Sequence, residues 1–191
     1  MFISKDIIFI HIPKTAGRSI TKKLCDIKGV EYDKRGVSVG YDSLPIHSKC
    51  SEVMRLMGND YKNAFRFSIV RNPFDRLVSF YEYGNINFHY KFKTFEDFVF
   101  YVTSNEYRPE VCDNWSVAKN PQSYYLNEGI DSIGRFEELS DYWESLGYKT
   151  ELPKVNHTNH QHYTHYYNDT LIEMVAHHFK DDFEKFNYSK I

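Results

Sequence analysis

A chain of 191 residues is long enough to bury one core and short enough that a single domain, residues 1–191, is the expectation. Its formal net charge of −2, with 26% charged residues, excludes a general nucleic-acid or membrane-surface binder, so any affinity for an anion has to be local. Cys25, Cys50 and Cys112, odd in number and without CxxC spacing, exclude a disulfide framework, and the one early apolar run, Ile7 to Ile10, is too short for a signal peptide or a membrane span, so a cytoplasmic protein is expected.

Ile7 to Ile10 reads as a strand, broken by Pro13, and Ile20, Leu24 and Ile27 recur at helical spacing, which gives strand, tight loop, helix. Lys28 to Pro45 lacks periodicity and reads as an irregular excursion. Ser51 is placed to cap a helix carrying Val53, Met54 and Met57 and ending at Asn59-Asp60. Phe65 to Val70 is a second buried strand with Arg71 at its carboxyl end. Asn72-Pro73 then starts a helix with Phe74, Leu77, Val78 and Tyr81 on its buried face and Ser79 on another side. Thr94 to Thr103 gives a packing helix, Ser104 to Gln122 a loop, and Ser132 to Arg135 a further strand. Leu139 to Leu146 is helical up to Gly147, and Leu171, Ile172, Val175, Ala176, Phe179, Phe183 and Phe186 form one stripe of a final helix.

The first strand–loop–helix is a phosphate-binding architecture. Unpaired N–H groups and a partial positive charge at a helix start favour an anion, Lys14 adds a full charge, and Gly17 lets the backbone come close. The nucleotide P-loop spacing is absent, because Lys14 precedes Gly17 and no early glycine exists. In an open α/β sheet ligands collect outside the carboxyl ends of the strands, where Lys14 and Arg71 both fall.

His11-Ile12-Pro13-Lys14-Thr15-Ala16-Gly17 resembles the 5′-phosphosulfate loop of the Golgi-type and bacterial carbohydrate sulfotransferases, which use 3′-phosphoadenosine-5′-phosphosulfate, PAPS. A second signature follows in the expected order, Phe67 to Tyr81 with Arg71-Asn72-Pro73-Phe74-Asp75-Arg76-Leu77-Val78-Ser79 at its centre, and a third block, Ile133 to Leu139 with Leu152 to Asn156, is also similar. The resemblance implies an α/β fold of three layers, α/β/α, with a mainly parallel central sheet of the P-loop NTPase-like kind. It also implies transfer of a sulfuryl group from PAPS to an acceptor hydroxyl, favouring a saccharide, and release of adenosine 3′,5′-bisphosphate.

By that resemblance Lys14 lies beside the phosphosulfate and stabilises charge on the departing phosphate. Thr15, Ala16, Gly17, Arg18 and Ser19 supply N–H groups and a hydroxyl. Arg18 stands where the family usually carries threonine or serine, so a charge contact and a solvent-facing side chain are both open. Arg71 and Ser79 match the pair for the 3′-phosphate, a guanidinium fork plus one hydroxyl. The plainer alternative is an Arg71–Asp75 pair and a serine bonded within its helix. Asn156 and Tyr163 match family positions in a polar stretch that closes over the nucleotide end of the donor.

Transfer to a hydroxyl needs a group to take its proton. His47, between the two signatures, is the candidate base, with Glu31, Glu52 and Asp42 as carboxylate alternatives and His11 as a brace for the loop. His157, His160, His162 and His165 have the spacing of metal ligands, but with only Asp169 as a nearby carboxylate and no cysteine, no metal is expected. Two other readings stay open: a P-loop nucleotide kinase-like enzyme, opposed by the missing glycine and the lack of a Mg²⁺ carboxylate after a strand, and a non-catalytic nucleotide-binding module. The acceptor's identity and the oligomeric state are not encoded in any motif; a phenol or a peptide tyrosine remains open beside the saccharide.

Overall fold

Ile7-Ile8-Phe9-Ile10 carries no polar side chain on either face, and all four residues are buried, the pattern of a strand covered on both sides. Around it the chain runs β1 (Phe2–Ile3), β2 (Ile7–Ile10), α1 (Gly17–Lys28), β3 (Val37–Ser38), α2 (Cys50–Met57), α3 (Asp60–Asn63), β4 (Phe65–Val70), α4 (Pro73–Asn87), α5 (Phe95–Thr103), α6 (Asp113–Ser116), β5 (Ser132–Arg135), α7 (Leu139–Ser145), α8 (Asp169–His178) and α9 (Lys180–Phe186). The structure is a computed structural model that describes residues 1–89, 91–104, 108–109, 111, 113–127, 129–155 and 160–191. It divides into two units: Met1–Val70 with Tyr124–His157, and Arg71–Ser123 with Thr158–Ile191.

The first unit is a five-stranded sheet in the order β3-β1-β2-β4-β5, flanked by helices. β2, β4 and β5 run parallel, with Ile10 beside Ser68 and Val70 beside Arg135, while β1 is antiparallel to β2. The expected mixed α/β class with a mainly parallel sheet is the one observed. β1 and β3 were not foreseen, because two residues are too few to display a period of two; β3 falls inside the excursion read as irregular. The buried face of α1 is Gly17, Ser19, Ile20, Thr21, Leu24 and Cys25, so Ile27, expected on the stripe, is instead 44% exposed. At α2 the start is two residues earlier than expected, with Lys49 and not Ser51 as N-cap: the Lys49 N–H donates to Glu52 Oε2 at 2.7 Å, and Ser51 pairs with Asn127 instead of capping.

The second unit is helical, and its core is aromatic. Trp115 is fully buried against Phe88, Phe92 and Phe98, with ring centroids 4.8 to 5.2 Å apart. Gly84 of α4 makes room for it, since a Cβ there would lie 2.2 Å from the indole. Trp115 sits in α6, inside the segment read as a loop; a four-residue helix is too short to show a helical period. The final stripe is carried by two helices, not one. The break at Phe179, with φ −102° and ψ 26°, leaves Leu171, Val175, Phe179 and Phe183 in one core, so the apolar pattern does not register it. Among the described residues no helix is long and apolar enough to cross a membrane.

Candidate functional site

In the first unit the segment between β2 and α1 is shaped by its own backbone. Lys14 and Ala16 both have positive φ, 69° and 62°, a conformation that non-glycine residues adopt at a cost and that curls successive N–H groups into an anion-binding concavity. Ala16 is the N-cap of the 12-residue α1; it offers no side-chain acceptor, and the first turn holds no acidic residue. The helix start therefore keeps its donor groups and its partial positive charge for something else. Lys14 stands half-buried at the same place.

Side chains fasten this loop from beneath. The buried Thr15 hydroxyl donates to the Ile12 carbonyl at 2.9 Å. Ser19 Oγ accepts the Val155 N–H at 3.2 Å, which ties the segment just before Asn156 to the start of α1. Gly17 was expected to let the backbone approach a ligand; the space its missing Cβ vacates is filled by His11, whose Cδ2 would lie 1.7 Å from such a Cβ. His11 is buried and braces the loop as expected, with Nδ1 3.2 Å from the Met1 amine. Burial first, and then the Met1 amine, His47, Arg18 and Lys14, hold its imidazole well below the usual histidine range, so it is neutral; burial likewise lowers the Met1 amine, to about 4. Arg18 thus acts electrostatically on His11 from a half-buried position.

His47 lies against this brace. Its Nδ1 is 2.9 Å from the His11 carbonyl, and the two rings meet edge to face at 4.6 Å. A carbonyl only accepts, so Nδ1 carries the proton and the lone pair is on Nε2, the tautomer a general base requires. Of the carboxylate alternatives, Glu52 is engaged in capping α2, Asp42 is exposed, and Glu31 lines an open cavity of about 610 Å³ with Tyr32, Asp33, Lys34 and Arg35.

In the second unit Arg71 is buried, and its Nε donates to Asp75 Oδ2 at 2.7 Å, one helical turn on. This is the pair anticipated as the plainer alternative; it fixes the direction of the guanidinium. Asn72 accepts from the Phe74 N–H and Pro73 takes the first helical position, so α4 starts as expected. Ser79 is buried on α4, and the fully buried Arg76 donates to the Asn120 carbonyl at 3.0 Å. Tyr163 opens a short 3₁₀ turn, Tyr163–Tyr166, packs against the aromatic core and lies 4.4 Å from the His162 ring.

Asn156 and His157 lie outside the described residues. His160 Nδ1 bonds the Gln161 carbonyl and His162 Nδ1 the Thr164 hydroxyl, each at 2.8 Å. Among the described residues no group of three or more His, Cys, Asp and Glu could hold a metal ion. One buried residue that motif reading passed over is Gln122, whose side chain bonds both the N–H and the carbonyl of Arg71. It sits in a stretch without periodicity, where no sequence signal marks it.

A proline-preceded lysine in a tight loop before a helix and, in the second signature, a strand-end arginine before an Asn-Pro helix are the features that the motifs anticipated; the left-handed backbone at Lys14 and Ala16 and the missing side-chain cap come from the structure. No curated protein and no solved structure matches the chain. The sequence model of the sulfotransferase family matches residues 1–189, nearly its whole length, and the chain belongs to that family.

Proposed function

We propose that the protein transfers the sulfuryl group of PAPS to a hydroxyl of a saccharide acceptor. The observation that carries the reading is the loop after β2: Lys14 beside an uncapped helix start whose donors are curled by two left-handed residues. The backbone N–H groups of residues 14–19 take the 5′-phosphosulfate, and Arg18 adds positive charge. Arg71 and Ser79 take the 3′-phosphate, the group that separates PAPS from ATP. Asn156 and Tyr163 contribute to holding the nucleotide.

In the reaction the acceptor oxygen attacks sulfur in line with the bond to the phosphate. As the new O–S bond forms, His47 Nε2 takes the hydroxyl proton; the 2.9 Å bond from Nδ1 to the His11 carbonyl holds the ring in the tautomer that can do so. The old S–O bond breaks with its electron pair on the phosphate, where Lys14 and the loop donors are already placed to receive the charge. No covalent enzyme intermediate is needed. His11, kept neutral, does not compete for the proton.

Thermal melts test the donor. At a hundred times its dissociation constant, adenosine 3′,5′-bisphosphate stabilises the native state by about 2.7 kcal/mol. A shift with ADP and Mg²⁺ alone would count against the proposal. Mass spectrometry of a saccharide panel incubated with PAPS tests the acceptor: the expected product gains one sulfuryl group, and binding without any such product over a broad panel points to a non-catalytic module.

A further inference from the structure

In the second unit an arrangement of fully buried polar groups ends on the backbone of Arg71. Gln122 Oε1 accepts the Arg71 N–H at 2.9 Å, and Gln122 Nε2 donates to the Arg71 carbonyl at 2.8 Å. One side-chain amide thus meets the main chain of Arg71 as a neighbouring strand would, just past the end of β4. Gln122 is in turn immobilised from α9: Asp182 Oδ2 accepts the Gln122 N–H at 2.7 Å, and Asp182 Oδ1 accepts the Ser123 N–H at 2.8 Å. Gln122 and Asp182 are both 0% exposed.

Polar groups removed from water at this depth are costly unless every bond is made, and a buried carboxylate between two backbone donors is among the stronger arrangements available. A core that needed only packing would be served by an apolar side chain at each position. What these two residues add is a fixed backbone at Arg71, while Asp75 fixes the side chain at Nε. An arginine held at both ends loses little freedom on gripping an anion, and its fork stays aimed.

We propose that Gln122 and Asp182 are positioning residues for Arg71, forming a buried clamp that sets recognition of the 3′-phosphate. The inference rests on the reading of Arg71 as the 3′-phosphate ligand. It is tested by the ratio of dissociation constants for adenosine 5′-monophosphate and adenosine 3′,5′-bisphosphate, measured calorimetrically on the full chain, each variant against wild type at the same pH.

Arg71→Ala is expected to abolish the preference for the bisphosphate. Gln122→Met, of similar volume but without donor or acceptor, is expected to lower the preference by about tenfold to a hundredfold, the scale of a misaligned charged hydrogen bond. Gln122→Glu supplies a signature that packing alone would not. A protonated carboxyl has one donor and one acceptor in the arrangement of the amide, and burial favours that neutral form. The variant should keep the preference near pH ~5.5 and lose it near pH ~8.5, as ionisation sets a second oxygen lone pair against the Arg71 carbonyl.

An unchanged preference in Arg71→Ala overturns the underlying assignment of Arg71. A collapsed preference there, beside a wild-type preference in folded Gln122→Met, overturns the clamp alone. If Gln122→Met does not fold, Gln122→Glu decides: a wild-type preference at both pH values overturns the clamp, and the pH-dependent loss supports it.

Discussion

In the first unit the groups assigned to the anion are a run of neighbours in sequence, residues 14–19, and their geometry comes from the main chain: two left-handed residues and a helix whose first turn has no side-chain cap. In the second unit the assigned groups are scattered, Arg71, Ser79 and Tyr163, and the geometry of the Arg71 guanidinium comes from side chains, one of them a helical turn away and two distant in sequence. Asp75 holds Arg71 at Nε, Gln122 reaches its backbone from 51 residues away, and Asp182 reaches Gln122 from a further 60. A site of the first kind is sensitive to whatever disturbs a close backbone packing. One of the second kind is sensitive to buried residues that touch no ligand.

The largest expected effect separates chemistry from architecture in the first unit. Lys14→Ala keeps a Cβ at the same positive φ, so the loop retains its shape and the variant stays folded, with a stability loss of about 1 kcal/mol or less. The turnover number should nevertheless fall by about 10² to 10³, the cost of removing one preorganised charge from a leaving group. A chemical denaturation curve and a turnover assay on the same preparation check both halves. A small loss of turnover would place the stabilising charge elsewhere and remove Lys14 from the mechanism.

How much of each site was legible follows from the same contrast. The strand, loop and helix of the first unit could be read because their parts are contiguous: Ile7 to Ile10, Pro13, Lys14, Gly17 and the stripe of α1 occur in one short window, and local conformation decides their arrangement. The strand end at Arg71 and the helix after it were legible for the same reason, since Asn72-Pro73 marks the start; Ser79, expected off the buried face of that helix, is itself buried. The clamp was not, because Gln122 lies in a stretch without period and Asp182 looks like a surface acid on a charged helix; only tertiary contact distinguishes them. Trp115 was missed in a similar way, its helix being shorter than one heptad. The role of Gly17 was legible as a close approach, but not that the partner is His11.

That close approach gives the next effect. A Cβ at Gly17 collides with a buried ring that has little room to retreat, so Gly17→Ala should lower stability by about 1–3 kcal/mol, as overpacking of a filled core does. In a double-mutant cycle the penalty should shrink markedly in a His11→Ala background, because the ring is then gone. Equal penalties in the two backgrounds would mean that helix propensity or loop geometry, and not the His11 contact, makes glycine necessary.

The smallest effect is a pH dependence peculiar to the first unit. His11 is buried, and its folded-state affinity for a proton lies well below that of the unfolded chain, near pKa 6.5. Below about pH 6.5 the unfolded chain takes up a proton that the native state refuses, so native stability falls with acid by up to about 1.4 kcal/mol per pH unit from this group. Above that pH both states leave the ring neutral, and the contribution is constant. Denaturation at pH ~5, ~6 and ~7.5 should therefore give a steeper acid loss for wild type than for His11→Gln, which cannot titrate, whatever the absolute stabilities. Parallel slopes would show that His11 charges in the folded protein. Its neutrality would then no longer favour His47, 4.6 Å away, over His11 as the proposed base.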